Sequence, residues 1–403
     1  MARPAHYPRI AATWIGVALG VAPATLAWGD DTGPFSPLTF QEGVEFNDPS
    51  RRYQVRLRFR SQNWLVMRSA ALDDPAPDSV ALQPRRLRLR LNGWAVDPRW
   101  VYGIQLGFTR ADMDWDATGF PNVVRDATLG FRFSPDLQVS FGQSKLPGNR
   151  QRVVSSGDQQ FPDRSIANRD FTLDRDVGLQ AMAQARPGGV LLVGKAAVSG
   201  GEGRNPTPGS NGLAYTVRAE VLPMGAFTGG GDYFEGDLAR EASPKLSVAG
   251  VVHWNRDARR TQGTLGAATA EGRDLFSVIG DGVFKWGGFA ATIEYLRRDC
   301  SEPTVKLASG KAGRMLVGQA YNAQMSWLWT DGVETAVRLT DSRPADAIAD
   351  QVARARQAAL GVSWYLARHR VKLQADVTGE VLDQPGKARV GAWTVRVNSE
   401  VGI

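Results

Sequence analysis

The chain has 403 residues, 48 Lys+Arg against 41 Asp+Glu for a net charge of +7, and 43% hydrophobic residues at a mean hydropathy of -0.27. That length suits one large barrel or two to three ordinary domains. The low hydropathy excludes a bundle of membrane helices but leaves a membrane β-barrel open, because barrel strands are only half apolar. Arginine supplies 40 of the cations and lysine 8. Guanidinium stays charged at any working pH and holds carboxylate or phosphate in a bidentate fork. No helix-turn-helix, zinc-finger or RNA-binding signature accompanies these residues, so no nucleic-acid partner is expected.

The first 27 residues read as a secretory signal. Arg3 and Arg9 precede an apolar, uncharged run from Ile10 to Leu26, and Thr25-Leu26-Ala27 offers a small-residue cleavage site. An uncleaved anchor helix is the alternative; Pro23 and the short run argue against it. Cleavage after Ala27 removes two arginines and no acids, leaving 46 cations against 41 acids. No later run reaches the ~18 apolar residues of a membrane helix. The single cysteine, Cys300, has no partner for an internal disulfide.

From residue 53 onward, period-two apolarity bounded by turn residues marks sixteen strands. They are predicted at 53–66, 85–93, 100–109, 124–133, 136–145, 176–185, 190–198, 213–222, 245–254, 274–285, 288–297, 318–329, 332–340, 357–366, 369–379 and 391–403. The number is even, as single-chain bacterial barrels require, and each run is long enough for a tilted strand to cross a bilayer. Connections from odd to even strands are mostly long, whereas those from even to odd are mostly short, such as Ser134-Pro135 and Trp286-Gly287. This is the asymmetry of a barrel with short periplasmic turns and long outer loops. The stretch from Pro223 to Pro244 breaks the rule, being long where a short turn is due. The expected organisation is a signal over 1–27, a periplasmic lead-in over 28–52 and a transmembrane barrel over 53–403. The terminal strand ends on an apolar face of Trp393, Val395, Val397, Val401 and Ile403, the kind of ending that outer-membrane assembly reads. Trp64, Trp94, Trp100, Tyr102, Trp327, Trp329, Trp364 and Tyr365 fall near strand ends, as interfacial girdles would, although tryptophan in a soluble core looks similar.

Two strands alternate arginine with apolar residues. Arg56, Arg58 and Arg60 interleave with Val55, Leu57 and Phe59; Arg86, Arg88 and Arg90 interleave with Leu87, Leu89 and Leu91. Successive side chains on a strand point to opposite faces, so each strand has an apolar face for lipid and an arginine face for a watery lumen. Facing lipid at mid-bilayer, each arginine would cost roughly 2–4 kcal/mol. Neighbouring guanidinium groups about 5 Å apart repel by roughly 3 kcal/mol at an effective dielectric near 20, so the patch needs carboxylates, water or passing anions. One reading is a ladder of weak anion sites, attractive enough to load and weak enough to release; the other is that acidic loop residues pair with the arginines. The same parity turns Arg132, Arg218, Arg338, Lys372 and Arg396 inward, together with Asp126, Glu220, Glu294, Glu334, Asp376 and Glu400.

The third outer loop, 146–175, carries Arg150, Arg152, Arg164, Arg169 and Arg175 beside Asp158, Asp163 and Asp174. Loops of this length are usually functional or disordered. In sixteen-stranded channel barrels the third loop folds inside and sets the constriction, and the same is expected here; a surface loop is the alternative. Enzyme chemistry is poorly supported. The mature chain keeps only His253 and His369, shows no Ser/His/Asp set or phosphate-cradling glycine loop, and no cofactor or metal is expected.

The chain resembles the phosphate-selective porin O and P family of Gram-negative outer membranes. The similarity is carried by Pro84-Arg85-Arg86-Leu87-Arg88-Leu89-Arg90-Leu91-Asn92-Gly93, by Phe141-Gly142-Gln143-Ser144-Lys145-Leu146-Pro147, by Asp174-Arg175-Asp176-Val177-Gly178-Leu179, by Glu294-Tyr295, and by the segment from Leu360 to Leu373. The resemblance implies a sixteen-stranded all-β barrel, usually a homotrimer, seated among outer-membrane lipid and lipopolysaccharide and passing small inorganic anions such as phosphate without energy input. Phosphate-selective members line the narrow zone with arginines and lysines. Lysine is scarce here and absent from 146–175, so anion preference is expected ahead of phosphate or polyphosphate selectivity. A general-diffusion porin and a non-channel barrel acting as receptor or adhesin are the alternatives.

Overall fold

The structure, a computed structural model, describes residues 43–50, 52–115, 119–206 and 212–403. The expected signal and most of the lead-in lie outside the described residues. Among those described, no helix is long and apolar enough to cross a membrane. A short strand β1 (Val44–Asn47) precedes β2 (Tyr53–Ser69), β3 (Ser79–Ala95), β4 (Asp97–Gly107), β5 (Val124–Ser134), β6 (Leu137–Lys145), β7 (Arg175–Ala185), β8 (Leu191–Ser199) and β9 (Ala214–Leu222). The chain continues through β10 (Lys245–Arg260), β11 (Ala268–Trp286), β12 (Phe289–Asp299), a small hairpin β13 (Thr304–Lys306) and β14 (Ala312–Arg314), then β15 (Gly318–Leu328), β16 (Val333–Pro344), β17 (Arg354–Tyr365), β18 (Val371–Asp383) and β19 (Val390–Gly402).

Leaving aside β1 and the β13–β14 hairpin, sixteen strands pair antiparallel in chain order, and β19 closes the barrel against β2 from Trp393↔Ser69 to Gly402↔Arg60. Closure leaves no strand edge unpaired through the wall, which the bilayer demands. Where β2 runs on below the end of β19, β1 takes over its edge from Val44↔Leu57 to Asn47↔Gln54. All sixteen predicted strands are present. Several extend past their expected ends: β10 and β11 continue to Arg260 and start at Ala268, so much of the predicted loop 255–273 is paired strand.

Burial is inverted relative to a water-soluble sheet. In β9, Tyr215, Val217 and Val221 are exposed while Thr216, Arg218 and Glu220 are buried. In β15, Tyr321, Met325 and Trp327 face out while Asn322, Gln324 and Ser326 face in. Apolar residues outside and polar residues inside match a lipid-facing wall around a hydrated lumen. Trp100, Trp327, Trp329 and Trp364 are exposed, as girdle residues would be. Four are not: Trp94 and Tyr102 are half-buried and line a cavity of the lumen, while two are buried, Trp64 beneath Arg85 and Tyr365 with its hydroxyl donating to Glu334 at 2.6 Å. Both buried residues belong to the inward parity of their strands.

Two connections fold into the lumen. The third outer loop, as predicted, crosses it. The stretch 223–244 enters from the periplasmic end, with a 3₁₀ segment at Thr228–Tyr233, and meets the third loop where the Glu235 amide donates to the Asp158 carbonyl at 2.8 Å.

Candidate functional site

The third loop leaves β6 at Lys145 and rejoins the wall at Arg175, carrying two short helices, α1 (Arg150–Val153) and α2 (Ile166–Phe171). The Ser165 hydroxyl accepts from the Asn168 amide at 3.3 Å and caps α2. The loop stays inside because its apolar residues find apolar wall. Leu146, Ala167, Phe171 and Leu173 pack with Ala197, Val251, Ile279, Leu296 and Ala320. Phe161 rests against Ala336 and Ala359, and a Cβ at Gly361 would fall 2.7 Å from its ring.

Polar anchors fix the same face. Arg150 donates to Asp281 and Glu220, both at 2.9 Å, and to Ser247 at 3.0 Å. Arg218 donates to Asp281 at 2.6 Å, to Glu220 at 3.0 Å and to the Gly148 carbonyl at 2.9 Å. Lys372 Nζ donates to the carbonyls of Gly157 and Gln159 at 2.7 and 2.9 Å. Arg338 reaches the Asp163 carbonyl at 2.9 Å and stacks over Phe161. The loop thereby covers the wall from β9 to β19 and leaves the opposite wall open.

The open side holds a cavity of about 500 Å³ between the loop and β3 to β7. Nine cations line it: Arg85, Arg86, Arg88, Arg90, Arg125, Lys145, Arg152, Arg164 and Arg175. Four carboxylates, those of Asp112, Asp114, Asp126 and Asp174, accompany them. Below lies a second cavity of about 460 Å³, lined by Arg56, Arg90, Arg132, Gln138 and others. The two share Arg90, Gly103, Thr128 and Ser144, so they lie against each other, the second toward the periplasmic end.

The arginines of this wall are partly neutralised. Arg60 faces Arg88 and Arg58 faces Arg90 across the β2–β3 ladder. Arg88 grips Asp112 of the second outer loop, and Arg86 pairs with Asp163 at 3.2 Å. Arg60 lies 3.6 Å from Glu400, and Arg56 pairs with Glu45 of β1. Ser156 at the loop tip accepts from Arg60 at 2.6 Å and from Arg88 at 2.9 Å. The Arg90 side chain has no hydrogen bond or ion pair to any described residue, and it sits where the two cavities meet. The wall therefore combines the two readings of the sequence: paired arginines above and an open guanidinium below.

Other expected site residues fall elsewhere. Arg218 and Arg338, predicted on the anion pathway, are 0% and 2% exposed and lie under the third loop, where they tie it to the wall. Arg150, predicted at the constriction, points to the back of the loop for the same reason. Arg169 is exposed and pairs with Asp170 and Glu380, away from both cavities. Arg152, Arg164 and Arg175 do line the upper cavity; Arg175 opens β7 and pairs with Asp126 at 2.7 Å. Arg132 lines the lower cavity near the periplasmic rim.

Sequence parity missed Arg85 and Arg125. The β2–β3 pairing shifts between Gln62 and Asn63, opposite Arg86 and Pro84. The β4–β5 pairing shifts between Gln105 and Leu106, opposite Asp126 and Val124. A bulge inserts an extra residue and re-aims its side chain, so Arg85 beside Arg86 and Arg125 beside Asp126 both reach the cavity. The acid Asp112 comes from an outer loop and carried no periodic signal.

A closed sixteen-stranded barrel with an inverted polarity and a loop-constricted lumen defines an outer-membrane porin. Solved structures share the fold. The outer membrane channel DcaP of Acinetobacter baumannii matches at TM-score 0.55 and 12% identity, covering 90% of this chain and 100% of that one. An anion-selective porin from Comamonas acidovorans matches at TM-score 0.54 and 13% identity, covering 87% and 100%. Salmonella typhi OmpF, in complex with daunomycin, matches at 0.52 and 12%, covering 88% and 99%. No curated protein matches by sequence. The sequence profile of phosphate-selective porin O and P matches residues 71–380, and the chain belongs to that family.

Proposed function

We propose that this porin is a passive channel favouring small inorganic anions, phosphate among them. The observation that carries this reading is the charge of the open path: nine cations against four carboxylates in the upper cavity, with the Arg90 side chain lacking a partner among the described residues at its junction with the lower one. Anions entering a narrow, water-filled cleft of that sign are concentrated and cations excluded. Arg86, Arg88 and Arg90 descend one strand face in steps that an anion follows, exchanging one guanidinium for the next. The likeness in fold to an anion-selective porin agrees with this reading. Replacing Arg86, Arg88 and Arg90 together by alanine lowers the anion-to-cation permeability ratio while the barrel stays folded; an unchanged ratio sinks the ladder. A homotrimer in the outer membrane, a cleaved signal at 1–27, a periplasmic lead-in at 28–52 and a barrel at 53–403 without catalysis complete the proposal. N-terminal sequencing of the purified protein tests the cleavage after Ala27.

A further inference from the structure

We propose that the segment 223–244 is a plug, which seals the half of the lumen opposite the arginine wall so that ions pass only along that wall. The periplasmic turns elsewhere in this barrel are short, and a hairpin needs only a few residues to reverse direction. This connection instead rises inside the barrel. Gly229 and Gly230 sit at φ 60° and 72°, a left-handed pair that bends the chain upward. Lys285 Nζ then donates to the carbonyls of Gly231 and Phe234 at 2.7 and 2.8 Å, and to that of Gly236. A buried ammonium spending all its protons on one segment is a latch.

The top of the segment locks to the third loop. The Glu235 carboxylate accepts from the Gln160 amide and from Gln324 Nε2, both at 2.9 Å. Its carbonyl lies 3.0 Å from His369 Nε2. Tyr233 donates to Glu220 and receives Lys195, and Arg150 of the loop donates to the Asp232 carbonyl at 3.2 Å. The fit is close: a Cβ at Gly236 would lie 2.6 Å from the Glu334 carboxylate.

Glu220, Asp281, Glu294 and Glu334 all face inward from β9, β11, β12 and β16 and are buried. Arg218, Lys285, Arg298 and Arg338 face inward from the same four strands and are buried too, so the covered wall carries mixed charges. The third loop covers them from above, and the segment 223–244 closes the approach from below. The closure stands on the geometry alone; that the remaining path passes anions rests on the anion-channel reading.

The test replaces residues 226–242 by a short glycine-containing turn in the full-length protein, with heat-modifiable gel migration to verify folding. Single-channel conductance and reversal potential are read under a potassium chloride gradient. Clearing the segment widens the periplasmic half of the lumen beneath the third loop and gives a higher conductance. Lys285→Ala, which releases the latch with the chain intact, gives excursions to the same higher level and decides the matter if the deletion does not fold. Unchanged conductance in the folded variants overturns the plug whatever the ion preference of the parent. A rise in conductance from a parent that shows no anion preference upholds the plug and overturns the anion reading.

Discussion

Asp112 closes on Arg88 with both carboxylate oxygens, accepting from Nε at 2.6 Å and from Nη2 at 2.5 Å. This is the fork a phosphate would occupy, filled by a residue of the second outer loop. An anion that uses Arg88 must displace that carboxylate or pass beneath it. Asp112→Asn removes the competing charge. A charge-assisted hydrogen bond contributes roughly 1.5–3 kcal/mol, so the phosphate concentration that half-blocks chloride current is predicted to fall about tenfold. Titration of the block in planar bilayers checks it; an unchanged half-block concentration means that Arg88 is not on the path.

The same pair sets a pH dependence. Burial pushes the Asp112 carboxyl up, but its bonds to Arg88 and the charges of Arg88 and Arg125 outweigh that and hold it well below the usual carboxylate range. A group with a lowered folded value contributes its stabilisation in full above the unfolded pKa and loses it only as pH falls through the folded value. The clamp on the second outer loop therefore persists on acidification from neutrality to about pH 4, near the ordinary aspartate value. Current noise and block by phosphate, corrected for phosphate's own ionisation, are predicted to stay constant over that span. A transition within it would mean that Asp112 titrates normally.

Arg90 and Arg218 are both arginines on inward-facing strand positions, yet they are predicted to fail differently when replaced. Arg90→Ala removes a cation that has no side-chain partner among the described residues, and lowers anion preference with little change in thermal stability. Arg218→Ala leaves Glu220 and Asp281 with one fewer partner beneath the third loop. Breaking a buried charge network typically costs about 3–5 kcal/mol. The folded band on unheated gels should convert at a lower temperature in this variant alone. Equal thermal behaviour of the two would contradict the division of labour drawn between them.

The barrel was legible because a lipid-facing wall imposes a period-two pattern on every strand, and loop asymmetry gave its orientation. The third loop was legible by its length and position. Inward parity was also correct for Arg218 and Arg338, but parity tells which side of the wall a residue faces and not what covers it; only the folded loop shows that these two are sealed away. Arg85 and Arg125 escaped because bulges break the period locally. The length of 223–244 marked it as exceptional, but its inward course, like the role of Asp112, escaped because connections carry no repeating pattern, and their roles arise from contacts with residues distant in sequence, such as Asp112 with Arg125 and Lys285 with Gly231.

The most direct measurement is the reversal potential of the unmodified protein in a planar bilayer under a potassium chloride gradient, repeated with added phosphate. The account predicts a potential on the anion side and a chloride current that phosphate blocks. A potential at zero or on the cation side, with phosphate inert, would contradict the claim that the arginine wall is the path.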